Sequence, residues 1–334
     1  MIQLSIIIVN YKSAQLIIDC LETVYAQTSS INFETIVVDN ASGDASRDLI
    51  TARYPHVIWK QLSYNAGFAR ANNEGIRNCR GNAVLLLNPD TLIEDRAIEH
   101  AYEKLQSSDA VACGVQLLNP DRTPQISGNY FMRDGLNYLL PLPFVGDFFK
   151  WMGNIFRVNK PNVPEATGTV EVDWINGAFL MVKKETIDQV GLLDEDFFLY
   201  AEEAEWCSRL RKKGKLCIYG QYHVIHLQGE TANASFGSSG KGYYDLFDRK
   251  GLQILVSNLL RIRKQFGVGW LLLIFIFYLA ETVIFPIGIF FDKVFNGKAA
   301  KFKWHHVTGY AANVFRTLQL IPKMITNKPY FYKV

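Results

Sequence analysis

What the chain lacks narrows its chemistry first. The five cysteines, Cys20, Cys79, Cys113, Cys207 and Cys217, form no CxxC pair and no zinc-ligand spacing, and their number is odd. This excludes a disulfide framework or a zinc ribbon and fits a reducing compartment. Neither GxGxxG nor GxxxxGK(S/T) occurs, so any nucleotide is held without a dinucleotide fingerprint or a Walker loop. The opening stretch MIQLSIIIVNYKS has no basic leader and no small-residue cleavage site. It reads as a first strand and not as a signal peptide, so the catalytic part is expected in the cytosol. There is no internal repeat, no low-complexity tract and no series of long apolar runs, and the last absence excludes a secreting polymer synthase with a multi-span channel.

Charge of one sign is scarce at the C-terminal end. Residues 241–334 carry 14 Lys and Arg against 4 Asp and Glu, an excess of ten that leaves the first 240 residues at −7 within a whole-chain charge of +3. An acidic body with a basic tail suggests a catalytic domain joined to something that meets anionic headgroups or phosphates. The basic residues flank apolar segments and do not alternate with stacking aromatics, so nucleic acid is not an expected partner.

What is present begins with strands. LSIIIV (4–9), ETIVVD (34–39), VIWKQL (57–62) and AVLLLN (83–88) are separated by helix-sized gaps. Near-continuous apolar strands of this kind indicate an α/β fold, a mostly parallel sheet with helices on both faces. Such sheets bind ligands at the carboxyl ends of their strands. Here those ends are polar: Asn10 and Tyr11, Asp39 and Asn40, Asn65, then Asn88 and Asp90. VDWINGAFLMVKKE (172–185) looks like a strand pair returning to the sheet, and LCIYGQYHVIHLQGET (216–231) contains another apolar strand.

FFLYAEEAEWCSRLRKKG (197–214) contains a helix in which Glu203, Cys207 and Leu210 share one stripe, whereas Glu205, Arg209 and Lys213 fall on a face suited to solvated ion pairs. The plain explanation of Glu203 is that acids near a helix N-terminus complement its dipole. The sharper one is a carboxylate held in a cleft as a general base, its pKa raised by partial desolvation. Asp90 directly follows a buried strand, where a carboxylate can reach a metal shared with a diphosphate. His226, at the end of an apolar strand, either adds a nitrogen ligand there, which favours manganese, or is structural. Residues 119–169 are irregular, and GLNYLLPLPFVGDFFKWMGNIF (135–156) is either a core insertion or a mobile apolar lid for a lipid-bearing acceptor.

Seven ordered blocks, SIIIVNY, VVDNASGD, NAGFARANNEGI, LLLNPD, WINGAFLMVKKE, GLLDEDFFLYAEEAEWCSRLRKKG and HVIHLQGET, carry a resemblance over roughly residues 3–230. The chain resembles the family 2 inverting glycosyltransferases with a GT-A fold, in particular the rhamnosyltransferase-like branch that builds bacterial surface polysaccharides. The resemblance implies a catalytic domain over 1–240, with a nucleotide-sugar half to about residue 118 and an acceptor half from about 119. It implies that Asn10, Tyr11 and Asp39 hold the base and ribose of a nucleotide-diphosphate sugar. Asn65, Gly67, Phe68 and Asn73 would line the sugar-nucleotide pocket, and Trp174, Asn176 and Gly177 would border the sugar and acceptor. Asp90, in an Asn-Pro-Asp form of the family's DxD motif, and His226 fall on metal-binding positions for Mn2+ or Mg2+. Glu203 falls on the catalytic base. The family's Glu-Asp-x-Asp reads Glu202, Glu203, Ala204, Glu205 here, so the extra methylenes leave the choice between Glu203 and Glu202 open. The implied donor is dTDP-rhamnose, with UDP-hexose or UDP-N-acetylhexosamine as alternatives, and the acceptor is a polyprenyl-diphosphate-linked or other saccharide in O-antigen-type synthesis. A nucleotidyltransferase would not need the acid pair, and an inactive scaffold on the same fold is the reading left by the altered acids.

Residues 241–334 are expected to form a helical membrane-associating segment. VGWLLLIFIFYLAETVIFPIGIFF (268–291) has one charge, Glu281, and a breaker at Pro286. Its length permits a single span, but Arg261, Arg263 and Lys264 precede it and Lys293, Lys298, Lys301 and Lys303 follow it. Cations at both ends favour monotopic attachment at the cytoplasmic face of the inner membrane, by a re-entrant hairpin turning between Glu281 and Gly288 or by an interfacial helix pair. YAANVFRTLQLIPKMI (310–325) places Val314, Phe315, Leu318 and Ile321 on one stripe, either against that interface or packed on the protein, so the membrane surface is expected to meet residues 261–325.

Overall fold

The four apolar runs of the first third form adjacent parallel strands, as their composition implies. The computed structural model describes residues 1–130, 135–227, 245–296 and 301–334. Strands β1 (Leu4–Asn10), β2 (Phe33–Asp39), β3 (Ile58–Gln61) and β4 (Ala83–Leu87) are linked by helices α1 (Ala14–Gln27), α2 (Ser46–Arg53) and α3 (Gly67–Arg77). All three pairings, β1 with β2, β1 with β4 and β2 with β3, are parallel. Ile6, Ile7, Ile8, Ile36, Val37, Val38, Leu85 and Leu86 are fully buried, so helices cover both faces of the sheet.

The chain continues through β5 (Thr91–Ile93), α4 (Ala97–Gln106), β6 (Ala110–Leu118), β7 (Gly128–Asn129), α5 (Val145–Ile155), β8 (Thr169–Val172), β9 (Trp174–Ile175), β10 (Phe179–Lys183), α6 (Lys184–Val190), α7 (Glu202–Leu210) and β11 (Lys215–His226). The large sheet is ordered β3-β2-β1-β4-β10-β6-β11-β5, with β8 also paired to β11. Strand β10 inserts antiparallel between β4 and β6, and β11 runs parallel to β6. Of the strand pair expected over 172–185, only β10 joins this sheet. The segment before it, β9, pairs with β7 in a separate two-stranded ribbon. A register shift between Tyr219 and His223 interrupts β11, and a Cβ at Gly220 would meet the Ala166 carbonyl oxygen at 2.2 Å. The glycine lets the 166–168 backbone approach that closely.

Contacts divide the chain into two compact units. The first comprises described residues 1–130, 161–198 and 202–227 and contains the sheet. The second comprises 135–160, 199–201, 245–296 and 301–334. It contains α5 and four C-terminal helices, α8 (Arg249–Phe266), α9 (Val268–Asn296), α10 (Trp304–Leu318) and α11 (Ile321–Thr326). Residues 135–160 thus pack with the C-terminal helices and not as a free lid. Inside the second unit, Leu139 and Leu142 are buried and the Tyr278 hydroxyl donates to the Tyr138 carbonyl at 3.1 Å. Phe144 packs on Phe285 and closes against Gly288, where a Cβ would come within 2.5 Å of its ring.

The expected re-entrant turn is absent. Helix α9 runs unbroken from Val268 to Asn296 with Pro286 inside it. It is a helix long and apolar enough to cross a membrane. Glu281 is not at a hairpin tip: it is fully buried, and its two carboxylate oxygens accept the backbone N–H groups of Phe144 and Val145, each at 2.9 Å. Those are N-terminal donors of α5 that have no partner within the helix. The stripe expected on 310–325 splits, with Val314 and Ile321 buried within the unit and Phe315 and Leu318 exposed.

Candidate active site

The polar strand ends converge as the sheet topology requires. At the ends of β1 and β2, Asn10 is fully buried and donates to Asp39 at 2.6 Å and to Ser42 at 3.1 Å. Asp39, also buried, accepts from the Ser42 backbone N–H at 3.0 Å and from Gln61 at 2.6 Å as well. Tyr11 beside them is half-buried. The turns leaving both strands use non-glycine residues in the left-handed region, Lys12 at φ 55° and Ala41 at φ 59°. Each costs roughly 1–2 kcal/mol in an L-residue, and such strain concentrates at functional turns.

Asn40 ties this edge to the next. Its side chain donates to Asn65 at 3.0 Å and accepts from the Ala66 backbone at 2.7 Å. Gly67 then opens α3 at φ +76°, with the Phe198 carbonyl oxygen 2.1 Å from where its Cβ would be. Only glycine fits there. Phe68 donates its backbone N–H to the same carbonyl at 2.8 Å. Asn73 is fully buried, and its amide is committed to Leu193 and Glu195, so it holds the 193–195 loop and does not line a surface.

A second cluster surrounds Asp90. The carboxylate lies 3.4 Å from Nε2 of His226, although the residues are at opposite ends of the sequence block. The backbone N–H of Leu227 donates to the Asp90 carbonyl at 2.9 Å, which fixes the end of β11 over the β4 turn. Gln125, a residue the sequence reading missed, orients the imidazole. Its nitrogen donates to the carbonyls of His226 at 2.6 Å and Leu118 at 3.3 Å and to the Asn119 side chain at 2.8 Å. With three acceptors around the amide nitrogen, the amide oxygen must face Nδ1 of His226, 3.0 Å away. Nδ1 therefore carries the proton in the neutral ring, and the Nε2 lone pair points at the Asp90 side.

Asn176 builds the turn between the clusters, accepting from the Ala178 backbone at 2.9 Å, and Ala178 in turn accepts from the Asn88 backbone at 3.0 Å. A Cβ on Gly177 would stand 3.4 Å from Glu203 Cγ and 3.7 Å from the Phe68 ring. Gly177, Phe68 and Glu203 therefore lie together beside the Asn88 end of β4. Trp174 is half-buried, and its indole N–H has no partner among the described residues.

The three acids of α7 differ from their expected placement. Glu205 is not on a wet face. It is buried and holds Arg209 through both carboxylate oxygens at 2.8–3.1 Å, while Arg209 also donates to the Val190 and Leu192 carbonyls. Glu202 is the deepest, 2% exposed, with one oxygen lacking any partner among the described residues. Burial, and then the charge of neighbouring Glu203, pushes the Glu202 carboxyl well above the usual carboxylate range. Glu203 is the half-exposed member of the three. The two residues leading into the helix, Tyr200 and Ala201, have φ of 72° and 68°, a second strained turn.

Comparison with known proteins accords with this layout. Residues 5–165 match the family model Glycosyl transferase family 2. The chain is 31% identical over 254 residues, 74% of either chain, to the low-salt glycan biosynthesis hexosyltransferase Agl10 of Haloferax volcanii. It is 25% identical, over 63% of this chain and 72% of the other, to an N-acetylglucosaminyl-diphospho-decaprenol L-rhamnosyltransferase of Mycobacterium tuberculosis. Among solved structures, the mannosyltransferase PcManGT from Pyrobaculum calidifontis, in complex with GDP-Man and Mn2+, superposes with a TM-score of 0.53 at 17% identity, covering 97% of this chain and 83% of that one. The chain belongs to the family 2 glycosyltransferases and has their GT-A fold.

Proposed function

We propose that the protein transfers a sugar with inversion from a nucleotide-diphosphate donor to a polyprenyl-diphosphate-linked or other saccharide acceptor, at the cytoplasmic face of the cell membrane. The observation that carries the reading is the meeting of two clusters on one sheet edge: Asp90 with His226, and Glu203 with Gly177 and Phe68. Asn10, Tyr11 and Asp39 receive the nucleoside, and Asn65, Gly67 and Phe68 flank the diphosphate and sugar. Trp174, Asn176 and Gly177 border the sugar and acceptor. Glu203 takes the proton of the acceptor hydroxyl as that oxygen attacks the anomeric carbon and the nucleoside diphosphate leaves from the opposite side. Glu202, 2% exposed and with its charged form disfavoured by burial, is the less suited of the two to serve as base.

The residues present fit a divalent cation. In its Gln125-bound neutral tautomer His226 turns its Nε2 lone pair toward the Asp90 carboxylate 3.4 Å away, with the Asn88 amide nitrogen also 3.4 Å from Nε2, so an imidazole nitrogen and a carboxylate oxygen face one another as a metal would need them. Among the described residues no third His, Cys, Asp or Glu joins them, so Asp90 and His226 would hold Mn2+ or Mg2+ together with donor oxygens and water. Such an ion supplies stabilisation of the charge that develops on the leaving diphosphate. Gln125→Leu is expected to weaken manganese binding by about 10- to 100-fold, the usual cost of removing the partner that fixes a ligating histidine. Manganese electron paramagnetic resonance titration checks it, and an unchanged affinity would mean that Gln125 does not position the ligand.

For the donor, dTDP-rhamnose is proposed on the strength of the mycobacterial relative, and the archaeal hexosyltransferase supports UDP-hexoses as the second choice. Calorimetric titration with dTDP and UDP, each with and without manganese, tests this directly. The reading expects manganese-dependent binding and a preference for dTDP. A preference for UDP replaces the rhamnose assignment, and no binding of either removes support for the donor site.

A further inference from the structure

The surface of the second unit carries a face that the catalytic reading leaves unused. Along α9 two stripes run on opposite sides. Leu271, Ile274, Tyr278, Glu281, Phe285 and Ile289 are all buried, whereas Leu273, Ile276, Val283, Ile287, Phe290 and Val294 are 42–64% exposed. The buried stripe runs from Leu271 to Ile289, 18 rises of 1.5 Å or about 27 Å, close to the thickness of a bilayer's hydrocarbon. Along that stripe α9 packs against other elements of the same unit. Among them, α10 hangs its Tyr310 hydroxyl on the Tyr278 carbonyl and exposes Arg316 on its own outer side. A crossing α9 would carry that cation and the polar sides of its neighbours into hydrocarbon, which is too costly.

The exposed apolar surface does not stop at α9. Glu281 accepts the two leading N–H groups of α5, which fastens that helix beside the apolar one. Phe149 packs on Phe277 with ring centroids 6.0 Å apart, and Phe148 and Trp151 next to it are 53% and 59% exposed. Its margin is net cationic: Lys293 stacks over the half-exposed ring of Trp304 at 5.5 Å, Lys303 is exposed beside that ring in the chain, and Lys150 and Lys301, also exposed, share Asp147 at 3.1 and 3.0 Å. Tryptophan with lysine at the margin of an apolar face suits the headgroup layer of an anionic bilayer.

The geometry points to α9 and α5 lying together in the plane of an anionic bilayer surface, each burying one face, with Glu281 as the clip that presents the aromatic helix to lipid. This rests on the membrane attachment proposed above and sharpens it by replacing a span or a hairpin with a flat, two-helix footing. Single cysteines at Leu273, Val283, Val294 and Trp151, in a full-length Cys79→Ser background whose other thiols are buried, are labelled with an environment-sensitive fluorophore. Depth is read by lipid-attached quenchers in phosphatidylglycerol-rich vesicles, after flotation has established binding. An in-plane helix places the labels at 273, 283 and 294 at one shallow depth, with 151 beside them. A spanning helix places 283 about 15 Å deeper than 273 and 294. That result, or a label at 151 with the emission it has in water, overturns the proposal while leaving attachment intact; failure to float removes attachment and the proposal together.

Discussion

Glu203→Gln is expected to lower kcat by about 1,000-fold, within the range a general base contributes, while leaving the affinity for the nucleotide donor unchanged within about twofold. The side chain is half-exposed beside Gly177 and Phe68, and the substitution keeps its size and removes only the basic oxygen. Glu202→Gln is expected to cost less than about tenfold, because a carboxyl whose charged form burial already disfavours loses little on becoming an amide. Steady-state kinetics with saturating donor separates the two. Inactivity of the Glu202 variant with an active Glu203 variant would reverse the assignment.

The same pair predicts a pH dependence of stability. Glu202 has a folded pKa raised above its unfolded value, so the folded state binds more protons than the unfolded state in the interval between them. Stability therefore falls as pH rises through that interval, by up to about 1.4 kcal/mol per pH unit for one proton, starting from an unfolded value near 4.3. Denaturant midpoints measured across the interval should show that slope in the parent and lose it in Glu202→Gln.

Asp90→Ala is expected to abolish the manganese dependence of nucleotide binding and to reduce kcat/KM by about 1,000-fold, the scale on which one preorganised electrostatic group acts in a transition state. The carboxylate is nearly buried opposite His226, and its removal leaves the histidine as the one metal-ligating side chain of the pair. His226→Ala should give a smaller loss of the same kind. Calorimetry of the variant with and without manganese reads the binding, and a variant that keeps full manganese dependence would place the cation elsewhere.

The parallel half of the sheet was legible because its strands are buried on both faces, so LSIIIV, ETIVVD and AVLLLN could hardly be anything else. Polar residues at their ends follow from the same topology, and Asn10, Asp39 and Asp90 lie where that logic puts them. Helix α7 was placed correctly, but its wet and dry faces were not. Periodicity put Glu203 inward with Cys207 and Leu210, yet the core wraps most of the helix and takes in Glu202, Glu205 and Trp206, leaving Glu203 half-exposed. Glu205 could be buried because Arg209 neutralises it and is itself satisfied by two carbonyls, a compensation no spacing announces.

Pairings across long stretches of sequence were invisible for a similar reason. Gln125 meets His226 across a separation of 101 positions, and Glu281 reaches back across 137 and 136 positions to the start of α5. A carboxylate in an apolar run suggests a turn when read locally. Supplied with two backbone N–H groups, it lets the helix continue through Pro286 and fixes residues 135–160 to the C-terminal helices.

The most direct test of the central claim is transfer itself, followed by proton NMR of the product's anomeric centre. The protein is supplied with manganese, dTDP-rhamnose or UDP-sugars in turn, and a short-chain polyprenyl-diphospho-N-acetylglucosamine acceptor. Consumption of one donor, with a glycosidic product of inverted configuration that Glu203→Gln fails to form, is the predicted result. A product of retained configuration, or one formed equally well by the Glu203 variant, would contradict it.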